Sequence, residues 1–384
     1  MAETAPIDFD LPAGARVVVA MSGGVDSSVT AAMLAEAGFE VVGVTLQLYD
    51  QRASRRDGKT CCAGRDLEDA RAVADRLGIA HYTLDMEARF RAAVIEEFAA
   101  AYAAGRTPIP CVRCNERVKF ADLLAFARDL GAAALATGHY VRRLRGPAGF
   151  ELHRAADPHR DQSYFLFATT PEQLDFLRFP IGELDKPAVR AIAARLGLPV
   201  AEKPDSQDIC FVPDGDHARL VGALRPDALR PGEIVDGTGR VLGRHAGIAR
   251  FTVGQRKGLG VAVGEPLYVT AIDATRARIV VGPRRANLVA AARLEGCSWL
   301  AAPHPEEVVA VKHRYNEPAV TGRVAREPDG RARVAFLEPQ AGVAPGQACV
   351  VWRGTRLLGG GWIAATEPVR DAAAARLDGV LAAP

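Results

Sequence analysis

A short apolar run that ends at Met21 leads into the hexapeptide Ser22-Gly23-Gly24-Val25-Asp26-Ser27, which precedes a stretch of helical periodicity. The two glycines let backbone amides approach an anion closely, and a helix N-terminus adds about half a positive charge. The serine hydroxyls are further donors, and the carboxylate of Asp26 is placed to help hold Mg²⁺. The hexapeptide matches neither G-x-x-x-x-G-K-[ST] nor G-x-G-x-x-G. We therefore expect a phosphate-binding turn of a less common type; the alternative is a turn that merely requires glycine.

The chain contains seven cysteines, an odd number that argues against the disulfide framework of a small secreted protein. Cys297 and Cys349 stand alone among apolar neighbours and are expected to be packed core thiols. Cys61 and Cys62 are also expected to pack locally, and sulfur transfer or metal binding is the alternative for this pair. The other three cysteines have neighbours that suit chemistry.

Cys114 is predicted to lie just before a helix, between Arg113 and Arg117. A thiol at a helix N-terminus that is flanked by cations has a lowered pKa and is partly thiolate near neutrality. Cys210 lies in a segment rich in turn formers, 203–211, and such loops commonly carry reactive groups. The spacing alone does not show whether Cys114 and Cys210 meet.

The elements that must position these residues alternate between strand and helix in the first part of the chain. Apolar or β-rich runs at 16–21, 40–48, 80–84 and 132–137 are separated by helical stretches at 27–38, 66–78, 87–104 and 115–130. This alternation predicts an α/β fold with a doubly wound parallel sheet. Beyond about residue 215, helical periodicity fades and turn pairs such as Asp236-Gly237 separate short β-rich segments. We therefore predict three domains: 1–215, a small β-rich linking domain at 216–286, and a β-barrel at 287–384.

The formal net charge of +2 divides unevenly along the chain. Residues 1–215 hold 25 Lys and Arg against 30 Asp and Glu, which gives −5, and residues 216–384 hold 23 against 16, which gives +7. A basic rear half fits a polyanionic partner, and an ordinary solvated surface is the alternative. No apolar stretch reaches the roughly 20 residues of a membrane span, and the N-terminus lacks the pattern of a secretory signal. A cytoplasmic protein is therefore expected.

The hexapeptide resembles the pyrophosphatase loop of enzymes that split ATP into AMP and pyrophosphate. The whole chain resembles the bacterial tRNA-uridine 2-sulfurtransferase (2-thiouridylase) family over nearly its full length. The resemblance rests on several stretches in the same order, namely 20–28, Cys-Asn-Glu-Arg-Val-Lys-Phe at 114–120, Ala-Thr-Gly-His-Tyr at 136–140, Arg-Asp-Gln-Ser-Tyr-Phe-Leu at 160–166, 205–210, 251–260, Arg314-Tyr315 and 345–347.

The resemblance implies an adenine nucleotide alpha hydrolase-like catalytic domain, followed by the linking domain and a barrel that contacts tRNA. It implies that ATP, with Mg²⁺, adenylates the C2 oxygen of the wobble uridine, and that sulfur from a persulfide on Cys210 then displaces AMP. Cys114 would be the nucleophile that leaves a Cys114–Cys210 disulfide to be reduced. A sulfur-carrier protein would load Cys210, and the enzyme would be a monomer.

The resemblance also assigns binding residues, and it assigns no metal ligand. The expected nucleotide contacts are Ala20, Met21, Ser22, Gly23, Gly24, Val25, Asp26, Ser27, Leu46 and Gly138. The expected tRNA contacts are Ile109, Pro110, Cys111, His139, Arg160, Asp161, Gln162, Arg314, Tyr315 and Gln347. Cations, amides and an aromatic ring are the groups that hold phosphates, base edges and an unstacked base.

Cys111 departs from many members of the family, which have aspartate three residues before the nucleophile. The resulting C-x-x-C with a distant third cysteine could hold an iron–sulfur cluster through Cys111, Cys114 and Cys210. A persulfide relay and a cluster that passes sulfide therefore compete on the same residues. Two further alternatives are another ligase with the same nucleotide loop, and a nucleotide-binding RNA chaperone without chemistry.

Overall fold

A computed structural model describes residues 9–49, 62–205, 209–261 and 263–369, with the side chains of 62–64 excepted. The expected local packing of Cys61 and of the Cys62 side chain, and the Ala-rich residues 370–384, fall outside what it describes. The chain forms two compact units, each of which is discontinuous in sequence. The first comprises Met1–Ala93, Cys111–Pro213 and Thr355–Leu357, and the second comprises Val94–Pro110, Asp214–Gly354 and Leu358–Pro384. The three predicted domain boundaries stay a prediction.

The first unit contains a parallel sheet and an antiparallel hairpin. Its strands are β1 Arg16–Ala20, β2 Glu40–Gln47, β3 Ala80–Asp85, β4 Ala134–Thr137, β5 Val141–Gly146, β6 Gly149–Arg154 and β7 Leu177–Arg178. Five of them form a sheet in the order β3-β2-β1-β4-β7, and every pairing in it is parallel. The hairpin consists of β5 and β6. The predicted doubly wound α/β fold is therefore confirmed.

Helices of the first unit cover both faces of this sheet, as a buried parallel sheet requires. Among the described residues of both units the α-helices are α1 Val25–Glu36, α2 Cys62–Leu77, α3 Glu87–Phe90, α4 Glu96–Ala103, α5 Pro110–Cys114, α6 Leu124–Asp129, α7 Pro171–Phe176, α8 Lys186–Arg195 and α9 His217–Leu224. Of these, α4 and α9 belong to the second unit and pack against each other. The central strand is buried on both sides, since Val17, Val18 and Val19 are all inaccessible to solvent. Helix α1 packs against α2 and α8 on one of these faces.

The helix at the predicted nucleophile begins earlier than its pattern indicated. Residues Pro110–Cys114 form α5, and π-helical turns at Asn115–Leu123 follow directly before α6. Proline suits a first helical turn because its φ is already helical and it needs no amide partner there. The prediction that Cys114 lies just before a helix is therefore wrong, since it lies one turn inside.

The second unit is dominated by strands, as predicted for the rear of the chain. One sheet has the order β10-β11-β8-β9, formed by β8 Gly232–Val235, β9 Val241–His245, β10 Tyr268–Asp273 and β11 Arg278–Gly282. The other strands are β12 Leu288–Trp299, β13 Val309–Lys312, β14 Val320–Arg326, β15 Ala332–Ala341, β16 Ala348–Arg353 and β17 Arg356–Pro368. Pairing of β12 with both β15 and β17 closes these six strands into the expected barrel. Within the described part of the chain, no helix has the length and apolar character needed to cross a membrane.

Candidate active site

The hexapeptide spans the turn between β1 and α1 and the first three residues of α1, at the point where the strand order of the sheet reverses. Strands β2 and β4 flank β1 on opposite sides, and ligands of doubly wound sheets bind at such a switch point. Gly24 is the N-cap of the twelve-residue α1, so no cap side chain covers the first amides of the helix. Those amides and the helix dipole together form an anion site.

Two glycines in this region are required by space, and Gly23 is also required by its backbone conformation. Gly23 has a φ of +76°, and a Cβ atom there would lie 2.0 Å from the carbonyl oxygen of Asp66. Gly138 follows β4, and a Cβ atom there would lie 2.7 Å from the backbone nitrogen of Ser27. The backbones of the two loops therefore approach as closely as glycine permits. This arrangement fits a nucleotide polyphosphate held by backbone amides.

The serine hydroxyls shape the turn. The Ser27 hydroxyl accepts a hydrogen bond from the Ser22 backbone nitrogen at 3.1 Å and donates one to the Gly24 carbonyl at 3.1 Å. The Ser28 hydroxyl donates to the same carbonyl at 2.9 Å. We infer that, in this conformation, amides rather than these hydroxyls are the main donors to a bound anion.

Asp26 faces a lysine. The Lys186 ammonium lies 2.7 and 2.9 Å from its two carboxylate oxygens, and the Tyr140 hydroxyl donates to one of them at 2.7 Å. An ammonium ion and Mg²⁺ compete for the same oxygens, so the expected assistance of Asp26 to Mg²⁺ does not fit this arrangement.

The remaining expected nucleotide contacts differ in accessibility. Met21 is 2% exposed, and its carbonyl accepts a hydrogen bond from the Thr45 hydroxyl at 2.8 Å. Its side chain is therefore part of the core. Ala20 and Leu46, at the C-terminal ends of β1 and β2, are partly exposed. Those strand ends form the edge at which nucleotides bind in such sheets.

The structure brings the three candidate thiols into one electrostatic neighbourhood. Cys111 and Cys114 lie one turn apart on α5, and both raise the pKa of Cys210. All three are free thiols; Cys114 is buried, whereas water reaches Cys111 and Cys210. Within the described segments, no group of three Cys, His, Asp or Glu side chains is arranged to hold a metal ion. The cluster alternative therefore does not fit this conformation.

The expected lowering of the Cys114 pKa is wrong. Burial raises the pKa of this thiol, and Lys119 offsets only part of the effect. Arg113 is not the activating cation, since it pairs with Glu116 at 2.8 Å. Water reaches the Cys210 side chain, but the protein around it still limits its hydration and raises its pKa to about 12, with contributions from Cys114 and Cys111. Both thiols are therefore protonated near neutrality.

The raised pKa of Cys210 predicts slow alkylation of this thiol by iodoacetamide in the free enzyme. A pKa of about 12 lowers the thiolate fraction near neutrality about a thousandfold relative to free cysteine, and the greater nucleophilicity of a basic thiolate recovers part of this. We expect a rate about a hundredfold below that of free cysteine, still rising as the solution becomes alkaline. Peptide mass spectrometry over a pH series measures it, and a plateau already reached near neutrality would contradict the assignment.

His139 follows the same strand as Gly138 and is neutral. Burial lowers its pKa well below the ordinary value, and Lys119 adds to the effect. The Thr137 hydroxyl lies 2.8 Å from its Nδ1 atom, and the rings of Phe120 and Phe179 meet it edge to face. A neutral imidazole in this position offers a hydrogen bond or a stacking face rather than a charge.

The Arg160-Asp161-Gln162 stretch already has internal partners. The Arg160 guanidinium lies 2.6 Å from Asp205. Asp161 accepts hydrogen bonds from the Ala155 and Ser163 backbones, and the Gln162 side-chain oxygen accepts one from the Tyr140 backbone. In this conformation the last two side chains stabilise the turn between β6 and the next helical segment, and 40% of the Arg160 side chain is exposed.

The second unit holds the other expected tRNA contacts. The Gln347 amide is 9% exposed and donates to the Thr107 carbonyl at 3.0 Å. Arg314 donates to the Val253 carbonyl at 3.0 Å, and the Lys312 ammonium lies 5.3 Å from the centre of the Tyr315 ring. Ile109 and Pro110 are buried. Tyr315 and Arg314, which are partly exposed, are the more accessible of these groups.

Sequence reasoning missed two lysines that contact the nucleotide turn. Lys186 contacts Asp26, as described above, and Lys203 donates to the Gly23 carbonyl at 2.9 Å and also pairs with Asp66 and Asp69. Lys186 follows the capping residue of α8, where a basic residue is unfavourable to the helix dipole. That mismatch is the signal that could have singled it out.

Comparison with known proteins matches the whole architecture. Family models match residues 15–214 ("tRNA methyl transferase HUP domain"), 224–283 ("tRNA methyl transferase PRC-barrel domain") and 290–363 ("Aminomethyltransferase beta-barrel domain"). A "4-thiouridine synthetase - RNA complex with bound ATP" is 15% identical, covers 56% of this chain and 52% of that chain, and has a TM-score of 0.33. Similarity at that level supports no functional conclusion.

Full-length relatives are much more similar. A "tRNA-specific 2-thiouridylase MnmA" of Rhizorhabdus wittichii is 60% identical, covering 94% of this chain and 95% of the relative. A protein of the same name from Rhodospirillum centenum is 59% identical and covers 94% of this chain and 95% of the relative. Another from Caulobacter vibrioides is 56% identical and covers 95% of this chain and 98% of the relative. The domain descriptions mention methyl transfer, but each matches a separate segment, whereas each of these relatives matches 94% or 95% of the chain. The chain belongs to the tRNA-specific 2-thiouridylase family.

Proposed function

We propose that this chain is a tRNA-uridine 2-sulfurtransferase that uses ATP to thiolate the wobble uridine of tRNA. The observation that carries the proposal is the placement of Cys114 and Cys210 within mutual electrostatic reach, in the same compact unit as the nucleotide turn. An enzyme that only forms an amide has no use for this pair. Membership of the 2-thiouridylase family supports the choice of reaction.

The chemistry begins with activation of a carbonyl oxygen. The C2 oxygen of uridine attacks the α-phosphorus of ATP, pyrophosphate leaves, and AMP becomes the leaving group on C2. The turn at 22–27 supports this step, because its amides are placed to bind the polyphosphate. ATP is a substrate in this scheme.

Sulfur transfer follows from a persulfide on Cys210. The terminal sulfur forms the new bond to C2, and AMP leaves with the bonding electrons. The Cys114 thiol loses its proton to water as it attacks the Sγ atom of Cys210. The sulfur–sulfur bond breaks, its electron pair stays on the sulfur bound to C2, and a Cys114–Cys210 disulfide remains. An external thiol must supply two electrons to reduce that disulfide before the next turnover.

The partners and the division of labour in this proposal follow the family pattern. A sulfur-carrier protein loads Cys210, and tRNA is bound by the catalytic domain at 1–215 and the barrel at 287–384, linked by 216–286. The partly exposed cations and ring of Arg160, Arg314 and Tyr315 support contacts to phosphates and an unstacked base. The target base must leave the anticodon stack to expose C2. We propose a monomer as the working unit.

The test is a single-turnover reaction with purified protein that carries persulfide. Incubation with ATP and unmodified tRNA is expected to release AMP and pyrophosphate in amounts equal to the 2-thiouridine formed. Omission of tRNA should abolish pyrophosphate release, which separates this enzyme from a nucleotide-binding RNA chaperone. Pyrophosphate release without any thiolated nucleoside would instead indicate another ligase.

A second measurement separates the persulfide relay from sulfide carried on an iron–sulfur cluster. Protein purified without oxygen is expected to contain far less than one iron per chain and to gain no activity when iron and sulfide are added back. The arrangement of the three thiols supports this expectation. Stoichiometric iron together with a gain in activity would favour the cluster. A Cys111→Ser variant is the matched control, since it removes a cluster ligand but neither relay thiol.

A further inference from the structure

Lys186 is a buried cation that joins two segments distant in sequence. Its side chain is 7% exposed, and its ammonium lies 2.7 Å from Asp26 and 2.7 Å from Asp205. Asp26 belongs to the nucleotide turn, and Asp205 lies five residues before Cys210. A buried ammonium between two carboxylates resists separation, because removal of any partner leaves an uncompensated charge.

Asp205 is held by more than this one lysine. Arg160 lies 2.6 Å and Arg190 lies 3.5 Å from its carboxylate. Burial alone would raise the pKa of Asp205, but hydrogen bonds from Lys186 and Arg160 outweigh burial and lower that pKa. Asp205 is therefore an anion held by three cations, of which Lys186 is the one that also contacts the nucleotide turn.

A second bridge runs parallel to the first. The Lys203 ammonium donates to the Gly23 carbonyl of the turn at 2.9 Å, and it pairs with the carboxylates of Asp66 and Asp69. Lys203 and Asp205 both lie shortly before Cys210 in the sequence. Residues 203–205 are therefore attached to the nucleotide turn at two points.

The two residues after Cys210 are held by apolar packing and not by the nucleotide turn. The Phe211 ring packs edge to face against Phe90 with centroids 5.7 Å apart, and Val212 is 4% exposed. Cys210 thus lies between an apolar anchor on its C-terminal side and a charged anchor on its N-terminal side. Of these two anchors, the charged one contacts the nucleotide turn, through Lys186 and Lys203.

We propose that Lys186 is a positioning residue that couples the occupied nucleotide turn to the segment that carries Cys210. This inference rests on the proposed function, because it takes the turn to bind ATP. A polyphosphate bound at the first amides of α1 fixes the turn that carries Asp26, and Lys186 joins Asp26 to Asp205 through direct ion pairs. Fixing the turn therefore also restrains Asp205, and Cys210, five residues further along the chain, is restrained when ATP is present. The persulfide sulfur of Cys210 is thereby positioned when the uridine can be activated by ATP.

The experiment measures alkylation of Cys210 by iodoacetamide at alkaline pH, with and without α,β-methylene-ATP. In the wild-type protein the nucleotide is expected to slow alkylation at least about threefold. In Lys186→Met, alkylation without nucleotide should be at least about fivefold faster, and the nucleotide should no longer change it. Lys186→Arg should restore part of the response, because the cation is kept. Alkylation of Cys297, in the other compact unit, is the internal reference.

Two variants keep the test decisive. Asp205→Asn removes the second carboxylate but leaves Lys186 and Asp26 in place, so it should bind the nucleotide and yet lose the response of Cys210. Arg195→Gln removes a cation from the same helix, where it pairs with Glu36 at the exposed surface, and should behave as wild type. Circular dichroism establishes that each variant is folded, and calorimetry measures nucleotide binding directly.

The outcomes distinguish the coupling from the proposed function. Wild-type rates and a wild-type response in folded Lys186→Met and Asp205→Asn would overturn the coupling. A wild-type protein that binds no nucleotide would overturn the ATP site instead, and the nucleotide-free rates would still test the bridge. An equal change in Arg195→Gln would also overturn the coupling, since it would show a general effect of charge on α8.

Discussion

The Cys210→Ser variant is expected to form no detectable 2-thiouridine, a loss of at least about a thousandfold. A serine hydroxyl cannot carry persulfide sulfur, and it cannot form a disulfide with Cys114. Since water reaches the Cys210 side chain, the exchange of sulfur for oxygen should leave the free energy of unfolding almost unchanged. Nucleoside mass spectrometry of tRNA from cells that express only the variant measures the loss.

The matched control is Cys297→Ser, which changes a thiol in the other compact unit. It should retain thiolation close to the wild-type level. Binding of ATP by Cys210→Ser should also persist, because the nucleotide turn is made by a separate segment. If Cys210→Ser thiolated tRNA at more than a tenth of the wild-type rate, the persulfide assignment would be wrong and a ligase or another sulfur carrier would be favoured.

The Gly138→Ala variant is expected to lose ATP affinity by at least about a hundredfold. The added methyl group would lie 2.7 Å from the Ser27 nitrogen and 2.8 Å from the Asp26 carbonyl carbon. Both of these atoms belong to the backbone, so neither can rotate away, and the turn itself must shift. A turn that binds phosphate through its amides loses their alignment when it shifts.

Gly131→Ala separates this effect from the general cost of replacing a glycine. Gly131 has a φ of +68°, and a methyl group there would meet no atom within 4 Å. We expect it to lower the free energy of unfolding by about 1 kcal/mol through backbone strain and to leave ATP affinity unchanged. Calorimetry with α,β-methylene-ATP measures both variants. Wild-type affinity in Gly138→Ala would show that the turn is not the nucleotide site.

Much of the fold follows from local patterns. Strand β1 can be predicted from its apolar sequence, because a central parallel strand must be apolar on both faces. The turn after it can be predicted from its glycines, because a backbone that binds phosphate closely must lack Cβ atoms. The strands beyond residue 215 can be predicted from the turn-forming residue pairs that separate them, such as Asp236-Gly237. The doubly wound sheet and the barrel therefore match the predicted classes.

The electrostatics of the site did not follow from local patterns, because they depend on burial. Cys114 has Arg113 beside it in sequence, yet that arginine faces Glu116 and the thiol is enclosed, so its pKa rises. Lys186 is 160 residues from Asp26 along the chain, and their spacing in the sequence does not predict the contact. Such long-range pairs are fixed by the packing of α8 against α1.

The proposed function is tested most directly by the wobble nucleosides of cells that lack this chain. Mass spectrometry of their tRNA is expected to show that 2-thiouridine derivatives disappear, and that a plasmid copy of the wild-type chain restores them. Plasmid copies of Cys114→Ser and Cys210→Ser should fail to restore them. Unchanged 2-thiouridine in cells without the chain would contradict the account.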